Sequence, residues 1–200
     1  EVSILVNSPP LVGVLEVDNG EGGDSGDALQ TLFKLSAYDF IDDADDLPLT
    51  YSYLYAIGRR AEGKPEVLIA AGSLSSQISD VILPNGGGNT SVVELITRVS
   101  DIFGASSEAT VDAFVKTPKL SVEELSNLTS SLTSAALEKG DTSAVFQVLS
   151  SSASILNSLN CSLAPDCMAL NRADCEDGDT PNMCGKCLEG FVSNDVAHKE

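Results

Sequence analysis

The chain has 200 residues, 30 of them acidic and 11 Lys or Arg, for a formal net charge of −19. That balance excludes nucleic acid as an expected partner, because phosphate contacts need clustered cations, and it opposes anionic membrane surfaces. Hydrophobic residues still make up 42 % in periodic runs, so the acid belongs to a folded chain; with aromatics at 5 % and no Trp, the expected core is Val, Leu, Ile and Ala.

No apolar run is long enough to span a bilayer. The balance suits solubility, divalent cations or basic partners. The chain opens at Glu1 without a Met and closes at Glu200 inside a Cys-rich run, and it reads as a segment of a longer protein.

Residues 1–117 read as about seven strands. In "LVGVLEV" (Leu11 to Val17), Leu11, Leu15 and Val17 oppose Val12, Val14 and Glu16. "ALQTLFKLSAYDF" alternates over Ala28 to Phe40, with Leu29, Thr31, Phe33, Leu35 and Ala37 on one face. "PLTYSYLYAIG" sets Leu49, Tyr51, Tyr53 and Tyr55 on one face, expected to pack inward with the hydroxyls at the rim. "EVLIAAG", "SQISDVILP", "SVVELITRVSD" and "EATVDAFVKT" complete the set. Strand lengths and the turn signals DNGEGG, RRAEGKP, PNGGGN and FGASS match an antiparallel β-sandwich.

Residues 118–160 read as a helical hairpin. A capping box, Ser121-x-x-Glu124, precedes Leu120, Leu125, Leu128, Leu132 and Ala136 at helical spacing, and Gly140 is a natural stop. A second helix opens on Asp141 or Thr142, with Val145, Val148, Leu149, Ala153, Leu156 and Leu159 as its apolar stripe. Residues 161–200 show little periodicity and hold all five cysteines and the sole His, His198. They read as a loop-rich, cross-linked tail.

The acid run "DFIDDADD" offers Asp39, Asp42, Asp43, Asp45 and Asp46 as hard oxygen ligands of the kind Ca²⁺ takes on a flexible loop. The same residues also suit a solvated turn that breaks strand pairing, and the run lacks the EF-hand spacing. The loop from Asp18 to Asp27 adds Glu21, Asp24 and Asp27, with no assurance that the two loops meet. No other cofactor is expected.

Cys161, Cys167, Cys175, Cys184 and Cys187 read as a disulfide scaffold. A redox role for Cys184-Gly-Lys-Cys187 needs a βαβ setting that is absent, and a zinc knuckle needs a second close pair. Asn89, Asn127 and Asn160 fit the N-glycosylation sequon, which with the cysteines points to an oxidising, extracellular setting. No nucleophile–base pair can be built around His198, and "NGGGN" lacks the Lys of a phosphate loop. No catalytic residues are expected.

"VNSPP", the Gly-rich acidic loop, "ALQTLFKLSAYDFIDDADDLPLTYSYLY", "VILPNGG" and "ITRVSDIFGASSEATVDAFV" together resemble the REJ (receptor for egg jelly) modules of polycystin-like surface proteins, over roughly the first 115 residues. The most specific element is the order A-L-x-T-x-F-x-L-x-A, F-x-D, D-L-P-L-T-Y-x-Y. Such modules often place a Trp where Tyr38 or Phe40 stands here. The resemblance implies an Ig- or fibronectin-III-like sandwich in a large extracellular region, and it carries no catalytic residues. The tail, C-x5-C-x7-C-x8-C-G-x-C-L-x-G-F, is similar to the start of an EGF-like module, with a sixth cysteine expected beyond Glu200.

These readings lead to a non-catalytic structural or adhesion module of a large cell-surface protein. Its expected partners are an extracellular protein or glycan and neighbouring domains of the same chain, with the membrane reached only through other parts of the parent. The competing expectations are an accessory binding region of a secreted carbohydrate-active or proteolytic enzyme, and an intracellular zinc-binding adaptor.

Overall fold

A computed structural model describes residues 7–87, 91–158, 165–175 and 183–192. The chain divides into two compact units, residues 1–156 and 157–200. Among the described residues, the strands and the two α-helices all lie in the first unit. Among the described residues no helix is long and apolar enough to cross a membrane.

The strands are β1 (Val14–Asp18), β2 (Ser25–Asp27), β3 (Leu32–Tyr38), β4 (Thr50–Ile57), β5 (Val67–Ser73), β6 (Gln77–Ile82), β7 (Val92–Ser100) and β8 (Ser106–Lys116). They form a three-stranded sheet, β1-β3-β6, and a five-stranded sheet, β2-β8-β7-β4-β5. The molecule is therefore mainly β, a two-sheet sandwich followed by helices, as its alternating runs predict.

Alternation fills the space between the sheets. Leu15 of β1 and Phe33, Leu35 and Ala37 of β3 face Tyr53, Tyr55, Val93, Leu95, Val99, Ala113 and Val115 of the larger sheet in one buried cluster. A strand sends successive side chains to opposite faces, so this set follows directly from period 2. The three strand tyrosines do face inward, Tyr51 partly buried against the cluster. Tyr53, however, is fully buried, and its hydroxyl has no hydrogen-bond partner. It lies opposite Thr97 of β7, whose buried hydroxyl is also unpartnered.

Two local readings are corrected. The run from Ala28 does not extend as strand from its first residue, because β3 begins only at Leu32. Asp27 C=O accepts from the N–H groups of Gln30 and Thr31, and the Thr31 hydroxyl accepts from Asp27 N–H at 2.9 Å. This turn holds Leu29 at a φ of 65° and turns its side chain into a second buried cluster. The loop from Asp18 to Asp27 also ends in a strand, β2, which pairs parallel with β8, whereas the other strand pairs among the described residues are antiparallel.

The helical hairpin comprises α1 (Val122–Glu138) and α2 (Thr142–Leu156). The capping box forms: Glu124 N–H donates to Ser121 Oγ, and Ser121 N–H donates to Glu124 Oε2 at 2.8 Å. Asp141 caps α2 by accepting from Ala144 N–H at 2.9 Å. Gly140 sits between the helices at a φ of 69°, where a Cβ would be strained. Leu125 of α1 and Val148 of α2 pack with Leu29 and Ile82, and this apolar cluster docks the hairpin on the sandwich.

The α2 stripe differs from its sequence reading. Val148 is buried, whereas Leu149, Ala153 and Leu156 are exposed; Leu159 lies outside the described residues. The sheet-facing side of α2 adds polar contacts to Val148 and Ile155. Gln147 Oε1 accepts from Ile82 N–H at 2.8 Å, the Ser151 hydroxyl donates to Leu83 C=O at 3.0 Å, and the Ser154 hydroxyl bonds the Asn85 side chain. The reason lies in the sheet. β6 is an edge strand, and where it runs out its backbone groups need partners that Leu and Ala cannot supply.

In the second unit, Cys167 and Cys184 form a disulfide with Cα atoms 5.4 Å apart. Cys175 is also disulfide-bonded, and Cys187 is free. Cys184 thus pairs outside its own C-x-x-C, which removes the redox-motif reading. Cys161 and His198 lie outside the described residues.

Candidate functional site

The acid run between β3 and β4 begins at Asp39, held at a φ of 60°, and ends in a short 3-10 turn, Ala44–Asp46, followed by a cis Leu47-Pro48 bond. Asp39, Asp43 and Asp45 point into solvent. Asp42 and Asp46 turn the other way and meet Asp101, from the β7–β8 turn. One carboxylate oxygen of each lies within 4.8 Å of the others. Two oxygens bound to one Ca²⁺ at about 2.4 Å lie at most about 4.8 Å apart, so the spacing fits a shared cation.

Asp101 is nearly buried and held from three sides. Its Oδ1 accepts from Phe103 N–H at 2.8 Å and Ala105 N–H at 3.0 Å, and its Oδ2 accepts from Asn7 Nδ2 at 2.8 Å. Ile102 N–H donates to Asp46 C=O at 3.2 Å, which ties the turn to the acid run. Burial pushes the Asp101 carboxyl up, but the Asn7 amide and the turn's N–H groups outweigh it and hold it below its ordinary value.

Asp46 is pushed the other way, first by burial and then by the charges of Asp42 and Asp101. Asp42 uses Oδ1 to accept from Asp43 N–H at 2.9 Å, while its Oδ2 is buried with no partner. A buried carboxylate oxygen without a donor is costly unless a cation or water meets it. The sequence reading named Asp42 and Asp46 but missed Asp101, which lies 55 positions beyond Asp46 in the chain. The signal available was its place in "SDIFGAS", an acid opening a tight turn. None of Glu21, Asp24 and Asp27 joins this group. Their loop is folded by its own side chains: Asp18 Oδ1 accepts from Gly20 and Gly22, and Asn19 Oδ1 from Glu21 and Gly23.

A second charged group lies on the face of the larger sheet. The register sets Arg98 of β7 opposite Glu108 of β8, with Nη2 and Oε1 at 2.6 Å. Arg60, from the 3-10 turn after β4, reaches Glu108 at 2.8 Å and Glu66 at 2.9 Å, and its N–H donates to Glu94 at 2.6 Å. Arg59 pairs with Asp112 at 2.7 Å. The arginines hold Glu66 and Glu108 below the usual carboxylate range.

Asn127 is exposed on α1, accessible to a glycan; Asn89 and Asn160 lie outside the described residues. A search of curated proteins finds no match, and a search of solved structures finds none either. A family model described as the REJ domain matches residues 1–151, from the N-terminus through both sheets and α1 into α2. With that match over three quarters of the chain, on a two-sheet sandwich closed by a helical hairpin, the chain belongs to the REJ domain family.

Proposed function

We propose that this chain is a non-catalytic module of an extracellular region, which spaces and presents neighbouring domains or binds an extracellular protein or glycan. The family supports this, because REJ domains are extracellular modules of polycystin-like proteins. The Cys167–Cys184 disulfide supports an oxidising compartment and a cross-linked tail at the start of an EGF-like module.

Within that role, the Asp42–Asp46–Asp101 end of the sandwich binds Ca²⁺. The observation that carries this is the buried, unpartnered Asp42 Oδ2 facing two further carboxylates. A cation there would supply the missing partner and tie the β3–β4 loop to the β7–β8 turn. Extracellular Ca²⁺ is abundant enough that a site with a dissociation constant of about 10⁻⁴–10⁻³ M is occupied. The module would then be stiff at one end in the presence of Ca²⁺.

The test is thermal melting in EDTA and in millimolar Ca²⁺. A ligand that binds only the folded state raises the melting temperature, here by about 5 °C. Asp42→Asn with Asp46→Asn removes that shift and raises the melting point in EDTA, since like charges are relieved. Asp39→Asn and Asp43→Asn leave the shift intact. No Ca²⁺ shift in the unaltered chain, or one that survives loss of Asp42 and Asp46, would overturn the cation site and leave a charged turn.

A further inference from the structure

The inward side of α2 buries Val148 and half-buries Ile155 among polar side chains, and a second apolar stripe faces outward. Phe146 is 70 % exposed, Leu149 48 % and Leu156 66 %, with Ala153 exposed between them. Their spacing of three, four and three residues is that of a helix–helix seam. The sheet has no use for this stripe, because Val148, Ile155 and the hydrogen bonds of Gln147, Ser151 and Ser154 already fix which side of α2 faces it.

Charge identifies the occupant. At −19, most ways of bringing two copies of this chain together set acid against acid. From Thr142 to Pro165, by contrast, there is no Asp, Glu, Lys, Arg or His. The stripe is also self-complementary. In an antiparallel two-fold pairing centred on residue 151, Phe146 meets Leu156 and Leu149 meets Ala153 of the second copy. Large thus packs against small at the centre, as an isologous interface requires.

We propose that the Phe146–Leu149–Ala153–Leu156 stripe of α2 docks against the same stripe of a second copy of this chain. One helix face is at the low end of specific interface sizes, so the dimer is weak in solution and is favoured where copies are concentrated, as on a surface.

The test is sedimentation equilibrium of the full chain in EDTA, which removes any contribution from Ca²⁺. The average mass should rise from one chain toward two between about 10 µM and about 1 mM and stop there. Phe146→Asp with Leu149→Asp should weaken association at least about 10-fold, with melting temperature and circular dichroism unchanged, because these side chains are exposed in the single chain. Leu149→Asp and Ala153→Lys chains, each monomeric alone, should associate when mixed, since the pairing sets 149 against 153. A mass fixed at one chain up to about 1 mM, growth past two, or a dimer indifferent to the paired substitution would overturn the proposal.

Discussion

Two groups of carboxylates in this sandwich meet opposite fates. Glu66, Glu94 and Glu108 converge on the sheet face with Arg60 and Arg98 among them. Asp42, Asp46 and Asp101 converge at one end with no Lys or Arg in ion-pair contact among the described residues. In the first group arginine holds Glu66 and Glu108 down; in the second, burial and like charge push Asp46 up. The contrast shows that a net charge of −19 is not a uniform coat. Acid is neutralised where strands must lie side by side, and it is left unneutralised where two loops meet.

Removing the counter-ion should produce the largest effect. Arg60→Ala leaves Glu66, Glu94 and Glu108 crowded with only Arg98 to serve them. Because the network is partly exposed and screened, the cost should be about 1–2 kcal/mol in a urea melt. Adding Glu108→Gln should recover part of that loss. A cost under a few tenths of a kcal/mol would mean that the network only decorates the sheet.

Acid titration should separate Glu66 and Glu108 from Asp46 by sign, with Asp101, also held low, on the side of the glutamates. Glu66 and Glu108 have lowered folded values, so their stabilisation is present above the ordinary carboxylate value of 4.5 and is lost as pH falls through the folded values. Asp46 has a raised folded value, so its penalty stands at neutral pH and is relieved as pH falls through that value toward the ordinary 3.8. Stability followed from pH 7 downward in EDTA should therefore hold or rise slightly before it falls below about 4.5. Arg60→Ala should flatten the fall, and Asp46→Asn should remove the rise. A single monotonic loss, unchanged in either variant, would break the comparison.

The smallest effect concerns a buried polar group with neither kind of partner. Burial pushes the Tyr53 hydroxyl up to about 12, and it finds no acceptor. Tyr53→Phe should thus be neutral or stabilising by up to about 1 kcal/mol. A loss above that size would reveal a partner, such as ordered water, shared with Thr97.

Much of the fold was legible residue by residue. Phe33, Leu35 and Ala37 alternate into the core because β3 has period 2, and Ser121 and Glu124 start α1 because their side chains satisfy the first free N–H groups. The candidate site was legible only in part. Asp42 and Asp46 stood in an obvious acid run, but five aspartates gave no sign of which would turn inward. Asp101 could join them only once β4 and β7 were paired and their end loops stacked.

By itself, then, the sequence determined the strand faces, the helix starts, the acid excess and the cross-linked tail, since all of these depend on local periodicity, capping and composition. Tertiary structure decided the rest. It gave β2 to β8 in parallel, brought Asp101 to the acid run, and opposed Arg98 to Glu108, because pairing register links residues distant in the chain. It also turned the serine side of α2 inward, against the expectation from apolar spacing. The end of an edge strand leaves N–H and C=O groups that only polar side chains can satisfy, and that need outweighed the burial of three apolar residues.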